Sequence, residues 1–130
     1  MRLKNDLLDV LLHATDGTLN QVEMQWDRRS ALGIVLAAAG YPLQARRGDA
    51  ITGLPAEAPE TAETPETMVF HAGTALIDKK LVVSGGRVLC ATALGDPVKA
   101  AQSSAYRLAE AVHFEGAQFR RDIGHRAIKR

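Results

Sequence analysis

A single cysteine, Cys90, is all that the 130-residue chain has. One thiol excludes an internal disulfide, and its place in a strand-like run predicts a buried side chain in a reducing compartment. Aromatic residues make up 5% of the chain, too few to interleave with arginines as a nucleic-acid groove requires. Charge of one sign is also lacking. Sixteen Lys and Arg stand against fifteen Asp and Glu, for a net +1, so nothing pulls the chain toward nucleic acid or an anionic membrane. Long hydrophobic runs are missing too: the longest, Ala31 to Ala39, contains Gly33 and is too short to span a bilayer. Met1-Arg2-Leu3-Lys4 leads into no signal-type apolar core. The expectation is a cytoplasmic protein with no membrane and no nucleic-acid partner. No phosphate loop and no dinucleotide fingerprint occurs. His13, His71, His113 and His125 lack the spacing of metal ligands, and Cys90 has no nearby histidine to activate it.

What is present is ordinary for one globular domain: 46% apolar and 24% charged residues, long enough to bury a core without metal or disulfide. Leu3, Leu7, Leu8, Leu11 and Leu12 fall on one helical face, ended at Thr15-Asp16-Gly17-Thr18. This helix is expected to begin at Leu3 without a cap, as if it continued something longer. Leu19 to Gln25 reads as a short helical or extended piece. Ala31 to Ala37 is almost continuously apolar, which predicts a central strand. Ala50 to Leu54, Met68 to Ile77, Leu81 to Val83 and Val88 to Leu94 read as further strands, with a tight turn at Asp78-Lys79-Lys80. Pro55 to Thr67 holds three prolines and four glutamates and is expected to be an exposed acidic loop. Asp96-Pro97 reads as N-cap and first turn of a helix, whose apolar face is Val98, Ala101, Ala105, Leu108, Ala109 and Val112, ending near His113. A basic extended tail follows. Strands joined by turns predict an α+β fold with a mostly antiparallel sheet or partial barrel and flanking helices.

Two stretches invite a functional reading. Ser84-Gly85-Gly86-Arg87 lies between two strand-forming runs. It suits a hairpin turn. It equally suits a bare backbone that lets an anion approach an arginine fork. Gly40-Tyr41-Pro42 suits a plain turn.

Taken in order, several strings resemble one family. They include Leu3-Lys4-Asn5-Asp6-Leu7-Leu8, the run from Ala31 to Pro42, Gly48-Asp49-Ala50-Ile51-Thr52-Gly53-Leu54 and Val69-Phe70-His71-Ala72-Gly73-Thr74. Ser84-Gly85-Gly86-Arg87-Val88-Leu89, Thr92-Ala93-Leu94-Gly95-Asp96 and Arg121-Asp122-Ile123-Gly124-His125-Arg126 complete the set. Together they resemble the C-terminal part of the phosphoribosylamine–glycine ligases, or glycinamide ribonucleotide synthetases, which are ATP-grasp enzymes of purine biosynthesis. The resemblance implies a C-terminal ligase domain over 19–130, preceded over 1–18 by the last helix of the ATP-grasp region. Upstream N-terminal and ATP-grasp domains of the same enzyme are the implied partners. ATP and magnesium are the implied cofactors of the whole enzyme, held by those domains, with none expected on this chain alone. The implied reaction joins glycine to 5-phosphoribosylamine, releasing ADP and phosphate, with no catalytic residue of that step in this chain. The implied role here is to close one side of the cleft and help bind the sugar phosphate through Arg87, with Ser84, Gly85 and Gly86 beside it and Gly40, Tyr41 and Pro42 second. Leu43-Gln44-Ala45-Arg46 departs from the family, which commonly has a glycine and an aromatic there. A standalone phosphate-binding or interaction module with the same fold is the other reading.

Overall fold

The computed structural model describes residues 1–56 and 66–129. The segment 57–65, most of the expected acidic loop, and residue 130 lie outside the described residues.

Helix α1 (Leu7–Thr15) starts four residues later than its leucine pattern suggests. Leu3 instead pairs with Trp26 in an isolated bridge. The expectation of an uncapped start is therefore overturned: Asp6 is the N-cap, and its carboxylate accepts from the amide of Leu8 at 2.8 Å. The C-terminal turn closes through Thr18, whose amide donates to the carbonyl of His13. A 3₁₀ turn, Leu19–Gln21, follows. Hydrogen bonds between residues 2–5 and 23–27 then close this segment on itself, among them Lys4 to Gln25 and Asp27 to Arg2. Of α1 only Val10 is buried; Leu7, Leu8, Leu11 and Leu12 are all more than half exposed.

Among the described residues five strands follow: β1 (Ser30–Ala37), β2 (Thr67–His71), β3 (Thr74–Ile77), β4 (Lys80–Val83) and β5 (Arg87–Gly95). The pairings among them are antiparallel. One sheet has the order β1-β5-β2 and a second pairs β3 with β4. The central strand is thus β5, and β1 flanks it, contrary to the reading of its apolar run. Its residues alternate as far as Leu36: Leu32, Ile34 and Leu36 are buried, while Ala31, Gly33 and Val35 are exposed. Small or apolar residues on the open face hid that period. The run from Met68 to Ile77 is two strands, broken at Ala72-Gly73, because β2 belongs to one sheet and β3 to the other. Ala50 to Leu54 forms only isolated bridges, from Ala50 to Val82 and from Thr52 to His113. The expected tight turn between β3 and β4 consists of Asp78 and Lys79, both at positive φ, while Lys80 already belongs to β4.

Helix α2 (Val98–Ala111) begins one residue later than expected, with Pro97 rather than Asp96 at the cap position. It lies across the inner face of the three-stranded sheet. Ala101, Ala105 and Ala109 are fully buried against a core that includes Ile34, Leu36, Ala91 and Ala93. Alanine on the helix and alanine on β5 let the two backbones approach closely. The tail turns at Glu115-Gly116, where the amide of Ala117 donates to the carbonyl of Phe114, pairs with Ala37 at Gln118 and leads to one short helical turn, α3 (His125–Ile128). Among the described residues no helix is long and apolar enough to cross a membrane.

Candidate functional site

The segment Ser84-Gly85-Gly86 is not a hairpin. It carries the chain from β4 in one sheet to β5 in the other. The amides of Ser84 and Gly85 both donate to the carbonyl of Gly73, at 2.8 and 3.1 Å, and the amide of Gly73 donates to the carbonyl of Arg87 at 2.8 Å. Ala38 donates to the carbonyl of Gly86 at 2.9 Å. The glycines are needed for close packing. A Cβ on Gly85 would meet the Cα of Gly73 at 3.2 Å, and one on Gly86 would meet the ring of Tyr41 at 2.5 Å.

Beyond this crossing the β1–β5 register slips: Leu36 pairs with Leu89, but Ala37 pairs with Arg87. Val88 is the extra residue of a bulge. In a regular strand Arg87 would share the inner face with Leu89. A bulge re-aims the side chain: Val88 is fully buried, while Arg87 is exposed and lines a cavity with Val35 and Tyr41. Among the described residues no hydrogen bond or ion pair engages its guanidinium, in contrast to Arg29, Arg46, Arg120 and Arg121, which are all paired with carboxylates.

Tyr41 sits in a tight turn. Gly40 is at φ +78°, Tyr41 donates through its amide to Ala38, and Gln44 donates to Gly40. The carboxamide of Gln118 donates to the carbonyl of Ala38 at 2.8 Å and to that of Tyr41 at 3.5 Å. Gln118 and Ala37 also exchange both backbone hydrogen bonds. The structure thus brings Tyr41, Gly86 and Arg87 together from distant parts of the chain, whereas Gly40 lines a separate cavity with Gln44 and Arg46. Ser84 and Gly85 stand behind them, on Gly73.

Two adjoining cavities open here. The first, of ≈ 440 Å³, lies between the outer face of β1 and the tail, with Gly33, Val35 and Arg87 on one side and Gln118, Phe119 and Arg120 on the other. The second, of ≈ 520 Å³, shares Val35, Tyr41 and Arg87 with it and reaches Ala72 and Cys90. Cys90 is therefore half-buried on the open face, beside Thr92 at 3.5 Å, rather than buried in the core. The tail wall was missed in the sequence. Its signal was there: Phe119 and Ile123 are apolar residues four apart in a charged stretch, the mark of a segment that docks on something. No three His, Cys, Asp or Glu side chains come together among the described residues.

The chain is thus an α+β domain of antiparallel strands and flanking helices, with an exposed arginine that has no partner among the described residues over an open sheet face. Its sequence from residue 31 to 126 matches the family "Phosphoribosylglycinamide synthetase, C domain", and the chain belongs to that family. It is 55% identical over 129 residues to a phosphoribosylamine–glycine ligase of Ralstonia nicotianae and 52% identical over 130 residues to one of Haemophilus influenzae. These matches cover 99% and 100% of this chain, and in each case 29% of the relative. The chain thus spans less than a third of the length of these relatives. Among solved structures, a phosphoribosylamine–glycine ligase of Thermotoga maritima superposes with a TM-score of 0.68 at 39% identity, over 86% of this chain and 27% of the other.

Proposed function

We propose that this chain is the part of a phosphoribosylamine–glycine ligase that closes one side of the substrate cleft and holds the sugar phosphate. The activity belongs to the longer enzyme, which joins glycine to 5-phosphoribosylamine with hydrolysis of ATP to ADP and phosphate. ATP and magnesium sit on upstream domains in this reading. Residues 1–18 are then the end of the ATP-grasp region and the rest is the C-terminal domain. The location that suits this work is the cytoplasm.

The observation that carries the reading is Arg87. A guanidinium exposed over an open sheet face, with no carboxylate partner among the described residues, is poised to meet a dianionic phosphate in a bidentate fork. Gly86 and Tyr41 fix the wall beside it. The exposed leucines of α1 favour a domain that works against upstream chain over a module that works alone.

Reconstitution tests it. The chain is mixed with separately produced upstream domains, and ADP release is followed with glycine and phosphoribosylamine. Activity is expected only in the mixture. Arg87→Gln should raise KM for phosphoribosylamine by about tenfold or more, the scale of a lost charge-assisted hydrogen bond. An unchanged KM would remove Arg87 from the site.

A further inference from the structure

We infer that Arg120, in the C-terminal tail, is a second anion-binding residue of the Arg87 cavity, so that a phosphorylated sugar is gripped between the sheet and the tail. This rests on the reading of Arg87 as a phosphate contact and deepens it.

Arg87 and Arg120 line the same cavity, one from the start of β5 and the other from the tail. Arg120 is held by Asp122. Its Nε donates to one carboxylate oxygen at 2.9 Å and its Nη2 to the other at 2.6 Å. That pair uses two of the five N–H donors of a guanidinium, and the remaining donors stay available. The Asp122 pair thus orients the fork without consuming it.

The backbone around Arg120 is anchored on α2. The hydroxyl of Tyr106 donates to the carbonyl of Arg120 at 2.9 Å and accepts from the amide of Ile123 at 3.0 Å. Gln102 donates to the carbonyl of Ile123 at 2.6 Å. Phe119 is held between Tyr106, with ring centroids 6.2 Å apart, and the guanidinium of Arg121, 5.2 Å from its own centroid. A tail needing no more than exposure to water would not require this many anchors at its one cavity-lining stretch. The cavity therefore has a cation on each of two walls, Gln118 beside Arg120 on the tail side and Gly33 and Val35 beside Arg87 on the sheet side. A dianionic headgroup on a compact, partly apolar body matches it, which is the chemistry of a sugar phosphate.

The test is amide chemical-shift mapping of the chain with ribose 5-phosphate, with ribose as the control, on wild type, Arg87→Gln, Arg120→Gln and Arg120→Lys. The expected result is phosphate-dependent shifts at Arg87 and across 118–123. Affinity should fall about tenfold in Arg120→Gln and be partly restored in Arg120→Lys, with the melting temperature unmoved. Binding that depends on Arg87 but is unaltered in Arg120→Gln overturns this inference and leaves the reading of Arg87 standing. No phosphate-dependent shift in wild type overturns both.

Discussion

At the scale of single residues, two glycines at the same crossing, Gly73 and Gly86, should answer substitution differently. A Cβ on Gly73 would lie 2.7 Å from the carbonyl oxygen of Arg87 and from the Cα of Gly85, backbone that cannot swing aside. Gly73→Ala should cost about 1–3 kcal/mol, as overpacking does, read as a lowered midpoint in urea. A Cβ on Gly86 meets side chains instead, the ring of Tyr41 at 2.5 Å and the Cβ of Ala45 at 3.6 Å, and Tyr41 is 40% exposed. Gly86→Ala should therefore lower the midpoint less than Gly73→Ala and weaken ribose 5-phosphate binding, because a displaced ring no longer walls the cavity. The Asp27–Arg29 pair gives a pH signature. Nε and Nη2 of Arg29 donate to the carboxylate, which also accepts from the Arg29 amide at 2.9 Å, and these bonds hold Asp27 well below the usual carboxylate range. A lowered folded-state value means that the contribution is present above the ordinary carboxylate pKa and is lost as pH falls through the folded value. Asp27→Asn should therefore destabilise near neutral pH, and the gap from wild type should narrow as pH falls below the ordinary carboxylate value; urea melts at pH 7 and pH 2 would show a smaller gap at pH 2.

At the scale of elements, the sequence was most readable where one face differs from the other. Ala101, Ala105 and Ala109 sit among Gln102, Ser103, Ser104 and Arg107, and the face of α2 was plain. On β1 both faces are apolar, so length and composition gave a strand but not its place in the sheet. The start of α1 was misread because Leu3 fits the helical period while serving a bridge to Trp26. The site divides the same way. Arg87, Gly86 and Tyr41 were legible through local glycine and arginine chemistry. Gln118 and Arg120 were not, because what places them lies on other elements: the backbone of Ala37 for Gln118 and the hydroxyl of Tyr106 for Arg120. Tyr106→Phe isolates that link: it removes the acceptor of the Ile123 amide and the donor to Arg120. A loss of about 1–2 kcal/mol is expected. Hydrogen exchange at Ile123 should quicken far more than exchange in the strands.

At the scale of the whole molecule, the apolar surface is unevenly spread. The inner face of the sheet is sealed by α2, whereas α1 presents four leucines, from 53% to 65% exposed, on a helix properly capped at Asp6. A stable helix with its apolar stripe turned outward is a surface made to be covered. The relatives extend well beyond the region matched here, so the proposed cover is the upstream part of the same enzyme, and the test must separate that from self-association. Replacing Leu8 and Leu12 with Gln removes half of the stripe without touching Val10, the one buried residue of α1. Such surface changes should move the stability of the isolated chain by no more than about 0.5 kcal/mol each. If upstream chain is the cover, wild type sediments as a monomer, and the double variant no longer restores ADP release to the separately produced upstream domains, although it keeps its affinity for ribose 5-phosphate. Wild-type sedimentation as a dimer that the variant abolishes would assign the stripe to a second copy instead.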